Sequence, residues 1–447
     1  MKKIYLILLL SIVLALGSCK KFLQEKPDKR LSTPDKLQDL QALLDMSGRM
    51  NKAAIATMNA SDEFYLLPTV WTGLSKQFDK DCYIWASETQ NDTDWEALYI
   101  IVYYANTILD NIDRAGKTGA SNEYNSIKGA ALFFRGYAYY QLAQTFAPPF
   151  DPATAGSIKG IVLRENSDVL APSKRSTLMQ TYEKIMKDLN EAKDLLPENV
   201  LYKTRVNKAC AYAMMARTEL VMGNYERALV NASSSLQANN QLLDFNVLDA
   251  KAVAPVPLFN DEVLFYCGTN LPLVAVSSRA IIDTTLYRSY DENDLRKSVY
   301  FSSNGKGGYF FKGSFNGSTS NIFNGIANDE IYLIKAECEA RTGNIPASMK
   351  TLNALLLKRF KAGTFKDLSA TTAEEALGLI LTERKKELIY RGLRFSDIRR
   401  LNLRGAGINL TRILDKTVYT LAPNDKRYTW LIPQKVISLT ELEQNAR

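Results

Sequence analysis

The first residue able to do chemistry in this chain is a cysteine near its start. Lys2 and Lys3 precede an apolar run from Ile4 to Leu16, and Leu16-Gly17-Ser18 leads into Cys19. Two positive charges, an apolar stretch too short to span a bilayer comfortably and small residues ahead of a thiol read as a secretory leader ending in a lipidation box. Cys19 is therefore expected to carry a diacylglyceryl group, with residues 1–18 removed. Several acyl chains on one terminus hold a protein firmly to a membrane surface without spanning it. The alternative is an ordinary secreted protein whose cysteine falls there by chance.

The second set is aromatic and acidic. Trp71 and Trp85, with Asp62, Asp79 and Asp81 nearby, occur in an irregular stretch from Met58 to Gln90 that also holds Pro68 and Gly73. Sugars present C–H faces that lie flat on aromatic rings and hydroxyls that need donors and acceptors, so exposed indoles beside carboxylates make a glycan site. Trp71, Trp85, Asp62 and Asp81 are the leading candidates, and Tyr309 and Phe311 in a later loop region are weaker ones. Packing between lobes is the competing explanation for both indoles, more so for Trp85, which lies close to a helix start. Trp95 falls inside a helical apolar stripe and is assigned to the core.

Other chemistries are disfavoured. The sequence has no histidine, which removes the usual general base, triad partner and metal ligand together. A lipid-anchored glycosidase using two carboxylates such as Asp62 and Asp81 is the enzymatic alternative, but no catalytic motif accompanies them, and no enzyme activity is expected. Cys82, Cys210, Cys267 and Cys338 form no C-x-x-C pair, and Cys210 and Cys338 fall within apolar helical patterns, so they read as small hydrophobes without a disulfide or zinc site. No Asp-rich loop has calcium spacing, and no metal or cofactor is expected. Loss of Lys2 and Lys3 with the leader takes the formal charge from +8 to +6. The remaining Lys and Arg alternate with Asp and Glu along helices, which argues against a nucleic-acid groove.

The scaffold that must position these groups is helical in pattern. Thr33-Pro34 is expected to open a helix carrying Leu37, Leu40 and Leu44. Thr93 and Glu96 have capping-box spacing ahead of Trp95, Leu98, Val102, Ala105, Leu109 and Ile112, which alternate gaps of three and four. A second helix carries Ile127 to Leu142 and stops before Pro148-Pro149, and a third runs from Thr177 to Leu196 before Pro197. Asn207–Leu236 and Asp329–Phe360 each read as two helices joined at a Gly-Asn turn, Gly223-Asn224 and Gly343-Asn344. They resemble tetratricopeptide helix pairs. Between them, 242–325 is rich in Gly, Ser, Asn and Pro, the pattern of long loops with short strands. A last helix opens at Thr371 or Thr372 and holds Glu383-Arg384-Lys385-Lys386-Glu387. With Arg391, Arg394, Asp397, Arg399 and Arg400 these read as ion pairs on a solvated face.

Two long motifs carry a family resemblance. Asn328-Asp329-Glu330-Ile331-Tyr332-Leu333-Ile334-Lys335-Ala336-Glu337-Cys338-Glu339-Ala340-Arg341-Thr342-Gly343-Asn344 is one, and Glu383 to Leu388 running into Arg391-Gly392-Leu393-Arg394-Phe395-Ser396-Asp397-Ile398-Arg399-Arg400 is the other. Both resemble SusD/RagB-type lipoproteins, as do Phe22-Leu23 with Lys26-Pro27, Trp95 to Leu109, Arg135-Gly136-Tyr137-Ala138 and Tyr182 to Pro197. The resemblance implies an all-α, SusD-like fold of tetratricopeptide-like helix pairs with long irregular loops and minor short strands. It implies a lipid-anchored place on the outer-membrane surface, beside a TonB-dependent transporter of the SusC type. The implied task is capture of an oligosaccharide, or in some relatives a peptide, without catalysis. The expected organisation is a signal peptide over 1–18, a lipidated tether over 19–33, helical regions over 34–240 and 326–447, and a loop-rich ligand face over 241–325. A helical-repeat module that binds a protein or peptide and no glycan is the alternative.

Overall fold

A computed structural model describes residues 34–116, 121–270, 272–276 and 278–447. Cys19, the leader, the tether and Thr33 lie outside the described residues. Leu40 and Leu44 bury one stripe of α1 (Leu37–Leu44), which starts three residues after Pro34, with Lys36 at the cap position and no capping side chain. The helix packs on α2 (Asp92–Ala115) and α3 (Asn122–Phe146). Asn91, not Thr93, caps α2, its side chain accepting from the Asp94 N–H at 3.2 Å. Ser121 caps α3 in the same way. On α3 almost every residue from Ala131 to Phe146 is buried, because α2 covers one side and α4 (Leu178–Leu195) another. Gly136 permits that approach: a Cβ there would lie 3.1 Å from Leu189 Cγ. Thr177 and Gln180 close a capping box at the start of α4, and Leu196 turns extended just before Pro197.

The two repeat-like segments fold as helix pairs. They are α5 (Lys208–Met222) with α6 (Tyr225–Ala238), and α7 (Asn328–Arg341) with α8 (Ile345–Leu356). Gly223 and Gly343 take φ of +81° and +87°, the left-handed conformation that ends a helix at little steric cost in glycine alone. α6 packs on α7, joining the halves, and α9 (Ala373–Glu387) and α10 (Arg394–Asn402) complete the scaffold. Thr372 and Glu375 make the capping box of α9. The fold is thus all-helical, built on tetratricopeptide-like pairs.

Loops form a second, aromatic layer. The stretch 58–90 is not wholly irregular: it contains the short helices Pro68–Thr72 and Gln77–Tyr83. The strand Phe64–Tyr65 pairs with Ile281–Ile282, tying this stretch to the long loop region. Phe64, Tyr83, Tyr300, Phe301, Phe311 and Tyr390 pack together as the core of this lobe. All four cysteines of the described residues are buried free thiols.

The charged residues expected on a solvated face are instead interior. Arg296 bonds Asp294, Glu383 and Glu387 at 2.6–2.9 Å, and Arg359 bonds Glu262 and Glu387 at 2.6 Å. Arg391 meets Asp329, Arg217 meets Glu330, and Arg400 bridges Glu337 and Asp397. They are ion pairs, as expected, but the loop lobe and neighbouring helices cover them. Such pairs survive burial because each carboxylate is matched by a guanidinium with several hydrogen bonds.

Candidate functional site

Of the two leading indoles, Trp85 is unavailable to a ligand. It is 4% exposed, and its Nε1 donates to the Ala60 carbonyl at 2.9 Å. Its ring is one wall of a cage around Arg412, whose guanidinium lies 4.3 Å from the Tyr83 ring centroid, 5.2 Å from Trp85 and 5.6 Å from Phe64. Arg412 comes from the hairpin strand Leu410–Leu414 and donates to the carbonyls of Ser61, Phe64 and Tyr83. Cation–π contact and three carbonyl acceptors hold this charge without a carboxylate partner among the described residues. Trp85 therefore locks the C-terminal hairpin to the 61–85 stretch, the packing role that competed with ligand binding.

Phe311 is corrected in the same way, since it is buried and stacks on Tyr390 at 4.6 Å. Asp62 is held by Arg394 at 2.7 and 2.8 Å and by Lys385 at 2.9 Å. Burial opposes its ionisation, but the bonds and charges of Arg394 and Lys385 outweigh this and keep the carboxyl well below the usual range. Such a group cannot donate a proton as a glycosidase acid. Its neighbour Glu63 is buried with no direct cation and accepts from Ser61 Oγ and the Tyr390 N–H; burial pushes its pKa up to about 7. Asp81 accepts from Gln77 Nε2 at 2.7 Å on the short helix Gln77–Tyr83. Trp71 is half-buried, with Nε1 donating to the Lys80 carbonyl at 3.2 Å and its ring 6.4 Å from Tyr419. Tyr309 stacks on Tyr287 with 3.5 Å between ring centres. Trp71 and Tyr309 are both partly buried residues packed against the aromatic lobe, with different neighbours.

A cleft of about 720 Å³ opens between the short helix Gln77–Tyr83, the start of α2 and the C-terminal segment, and none of the six predicted ligand residues lines it. The short helix lends it Phe78 and Asp79, the start of α2 lends Asp92 and Thr93, and Lys76, Gln90, Gln434 and Lys435 complete its polar rim. Asp79 is buried and accepts from Asn59 Nδ2 at 3.2 Å; burial raises its pKa against the opposing charge of Lys76. Lys435 pairs with Asp92 at 3.2 Å and also with Glu96. The Gln434 N–H donates to Gln90 Oε1 across 344 residues of sequence. One half-buried aromatic ring among paired donors and acceptors suits a polyhydroxylated ligand. Sequence reasoning reached Asp79 and the aromatic content around Phe78. It missed Gln434 and Lys435, which no local pattern joins to residues 76–93.

Comparison with known proteins fits this scaffold. Residues 21–220 match a SusD-like family described as starch-binding and associating with the outer membrane, and residues 329–445 match the SusD family. The chain belongs to the SusD/RagB family. It is 24% identical over 373 residues to SusD-like protein P2 of Formosa agariphila, covering 69% of this chain and 71% of that protein. A SusD superfamily protein of Bacteroides thetaiotaomicron shares the fold with a TM-score of 0.75 at 22% identity, over 92% of this chain and 100% of the other. A SusD-like carbohydrate binding protein of Bacteroides vulgatus aligns with a TM-score of 0.68 at 19% identity, over 91% and 97%. Among the described residues of this SusD/RagB chain, no helix is long and apolar enough to cross a membrane. One acidic group, Glu262, Asp329 and Glu387, brings three carboxylates within 4.8 Å of one another, but they already serve Arg359, Arg391 and Arg296. That arrangement makes them members of the buried ion-pair network.

Proposed function

We propose that this SusD/RagB chain is a lipoprotein anchored through Cys19 at the outer-membrane surface. It binds an oligosaccharide in the cleft of Phe78, Asp79, Gln90 and Lys435 and passes it to a partner TonB-dependent transporter of the SusC type, catalysing nothing. The observation that carries the reading is the cleft itself, an aromatic face among mixed donors and acceptors on a scaffold matched at both ends by SusD families. The carbohydrate-binding description of the Bacteroides vulgatus neighbour supports it, and Asp62, held ionised by two cations, argues against the glycosidase alternative. Trp71 and Tyr309, partly buried against the aromatic lobe, are proposed as further ring contacts for a glycan.

The test is made in outer membranes. The wild-type protein is expected to fractionate with the membrane and to co-purify with a large β-barrel, and a fluorescent glycan is expected to enter cells only when it is present. Cys19→Ala should release it from the membrane. Recovery of the wild-type protein in the soluble fraction with residues 1–18 attached would overturn the reading. A second reading, a helical-repeat module for a protein or peptide, is favoured by one observation, a groove of about 630 Å³ along α4–α6 with Val230 65% exposed at its rim. Peptide capture by a protein that retards on no glycan would select it.

A further inference from the structure

The helix Gln434–Leu439, which lends Gln434 and Lys435 to the polar cleft, lends Val436 and Leu439 to a second groove of different chemistry. Its volume, about 320 Å³, is that of a small-molecule site. Trp95, Tyr99, Val102 and Tyr103 of α2, with Val162 and Leu442, line the rest of its apolar body. Tyr103 and Leu439, at 44% and 85% exposed, leave apolar surface open to water at the lip. Aliphatic and aromatic side chains dominate its walls and the polar lining comes chiefly from the segment 164–173, so its chemistry differs from that of the cleft.

One end of the groove is polar and basic. The Arg164 guanidinium lies there, donating to the Ala171 carbonyl at 2.5 Å and to Ser173 Oγ at 2.6 Å, with no carboxylate in ion-pair contact among the described residues. Asp168, at the same rim, accepts from the Leu170 N–H at 2.9 Å and forms no ion pair with Arg164. An occupant complementary to this site has a flexible apolar body and one anionic end.

We propose that the groove binds a medium-chain fatty acid, with its alkyl chain against Trp95, Val102 and Val436 and its carboxylate at Arg164. The assignment stands on the match of a guanidinium without a carboxylate partner among the described residues to a largely apolar channel. It is independent of what fills the polar cleft.

The experiment titrates residues 20–447 with sodium octanoate, decanoate and dodecanoate below their micellar concentrations, following tryptophan fluorescence and calorimetry. Each buried CH₂ contributes about 0.8 kcal/mol, so Kd should fall about four-fold per carbon until the groove is full, and no further beyond that length. Val436→Trp, which fills the channel, and Leu439→Glu, at an exposed position that folding tolerates, should each weaken dodecanoate at least ten-fold. Arg164→Gln should weaken dodecanoate and leave 1-dodecanol unchanged, separating loss of charge from loss of structure. Absence of saturable binding, affinity indifferent to chain length, or full affinity in both lip variants would overturn the assignment.

Discussion

Glu63→Gln isolates the cost of one buried charge. The Glu63 carboxyl is 1% exposed, accepts from Ser61 Oγ and the Tyr390 N–H, and has Asp62 beside it in sequence. Burial is the largest influence on it and Asp62 adds repulsion, so its pKa rises from 4.5 to about 7. A carboxyl whose folded pKa lies above its unfolded value contributes stability that is fully present below pH 4.5. That stability is lost as the pH rises, because the unfolded chain releases the proton first. The loss is complete just above pH 7. At 1.36 kcal/mol per pH unit over this window it amounts to about 3 kcal/mol. Glutamine keeps the shape and cannot ionise; its Oε1 accepts from the Tyr390 N–H and its Nε2 donates to Ser61 Oγ, reversing that bond. Urea unfolding of wild type and variant should therefore agree near pH 4.5 and diverge until the variant is more stable by about 3 kcal/mol at pH 8. Stability curves running parallel from pH 5 to pH 8 would refute the claim that Glu63 is buried without a cation.

Other perturbations act on the same interior. Arg359→Met leaves Glu262 and Glu387 short of their shared partner and should cost about 3–5 kcal/mol in denaturant unfolding. Trp85→Ala opens the Arg412 cage and should cost a similar ~3–5 kcal/mol by the same assay, while leaving glycan affinity of the folded protein unchanged at low temperature. Thr177→Ala removes the acceptor for the Gln180 N–H at the head of α4 and should cost about 1 kcal/mol.

Local signals were legible and non-local ones were not. Apolar stripes at helical spacing, the Gly223 and Gly343 turns, the helix start at Thr177 and the box at Thr372 are short-range physics, and each appears where the residues indicate. Asn91 displaced Thr93 as cap because Asn-x-x-Asp supplies an acceptor for the third amide as well as Thr-x-x-Glu does. The charged motifs on α9 and α10 read as solvated because their partners are distant in sequence: Glu383 meets Arg296 across 87 residues and Glu387 meets Arg296 across 91. Local sequence cannot show that a second layer will cover a polar face. The same limit explains the candidate site. Trp85 is aromatic and lies in an irregular stretch, but Arg412, the residue that claims its face, is 327 positions further on. Phe78 and Asp79 become a site only when Gln434 and Lys435 close the other side of the cleft.

The most direct test of the proposed function is affinity electrophoresis of residues 20–447 through gels containing each of a panel of soluble polysaccharides, starch among them. The wild type should be retarded by at least one glycan. Phe78→Ala and Asp79→Asn should each weaken that interaction by about 2 kcal/mol, some thirty-fold in Kd, with the fold intact by circular dichroism. Migration of the wild type unchanged by every glycan, or retardation that both variants retain in full, would contradict the account.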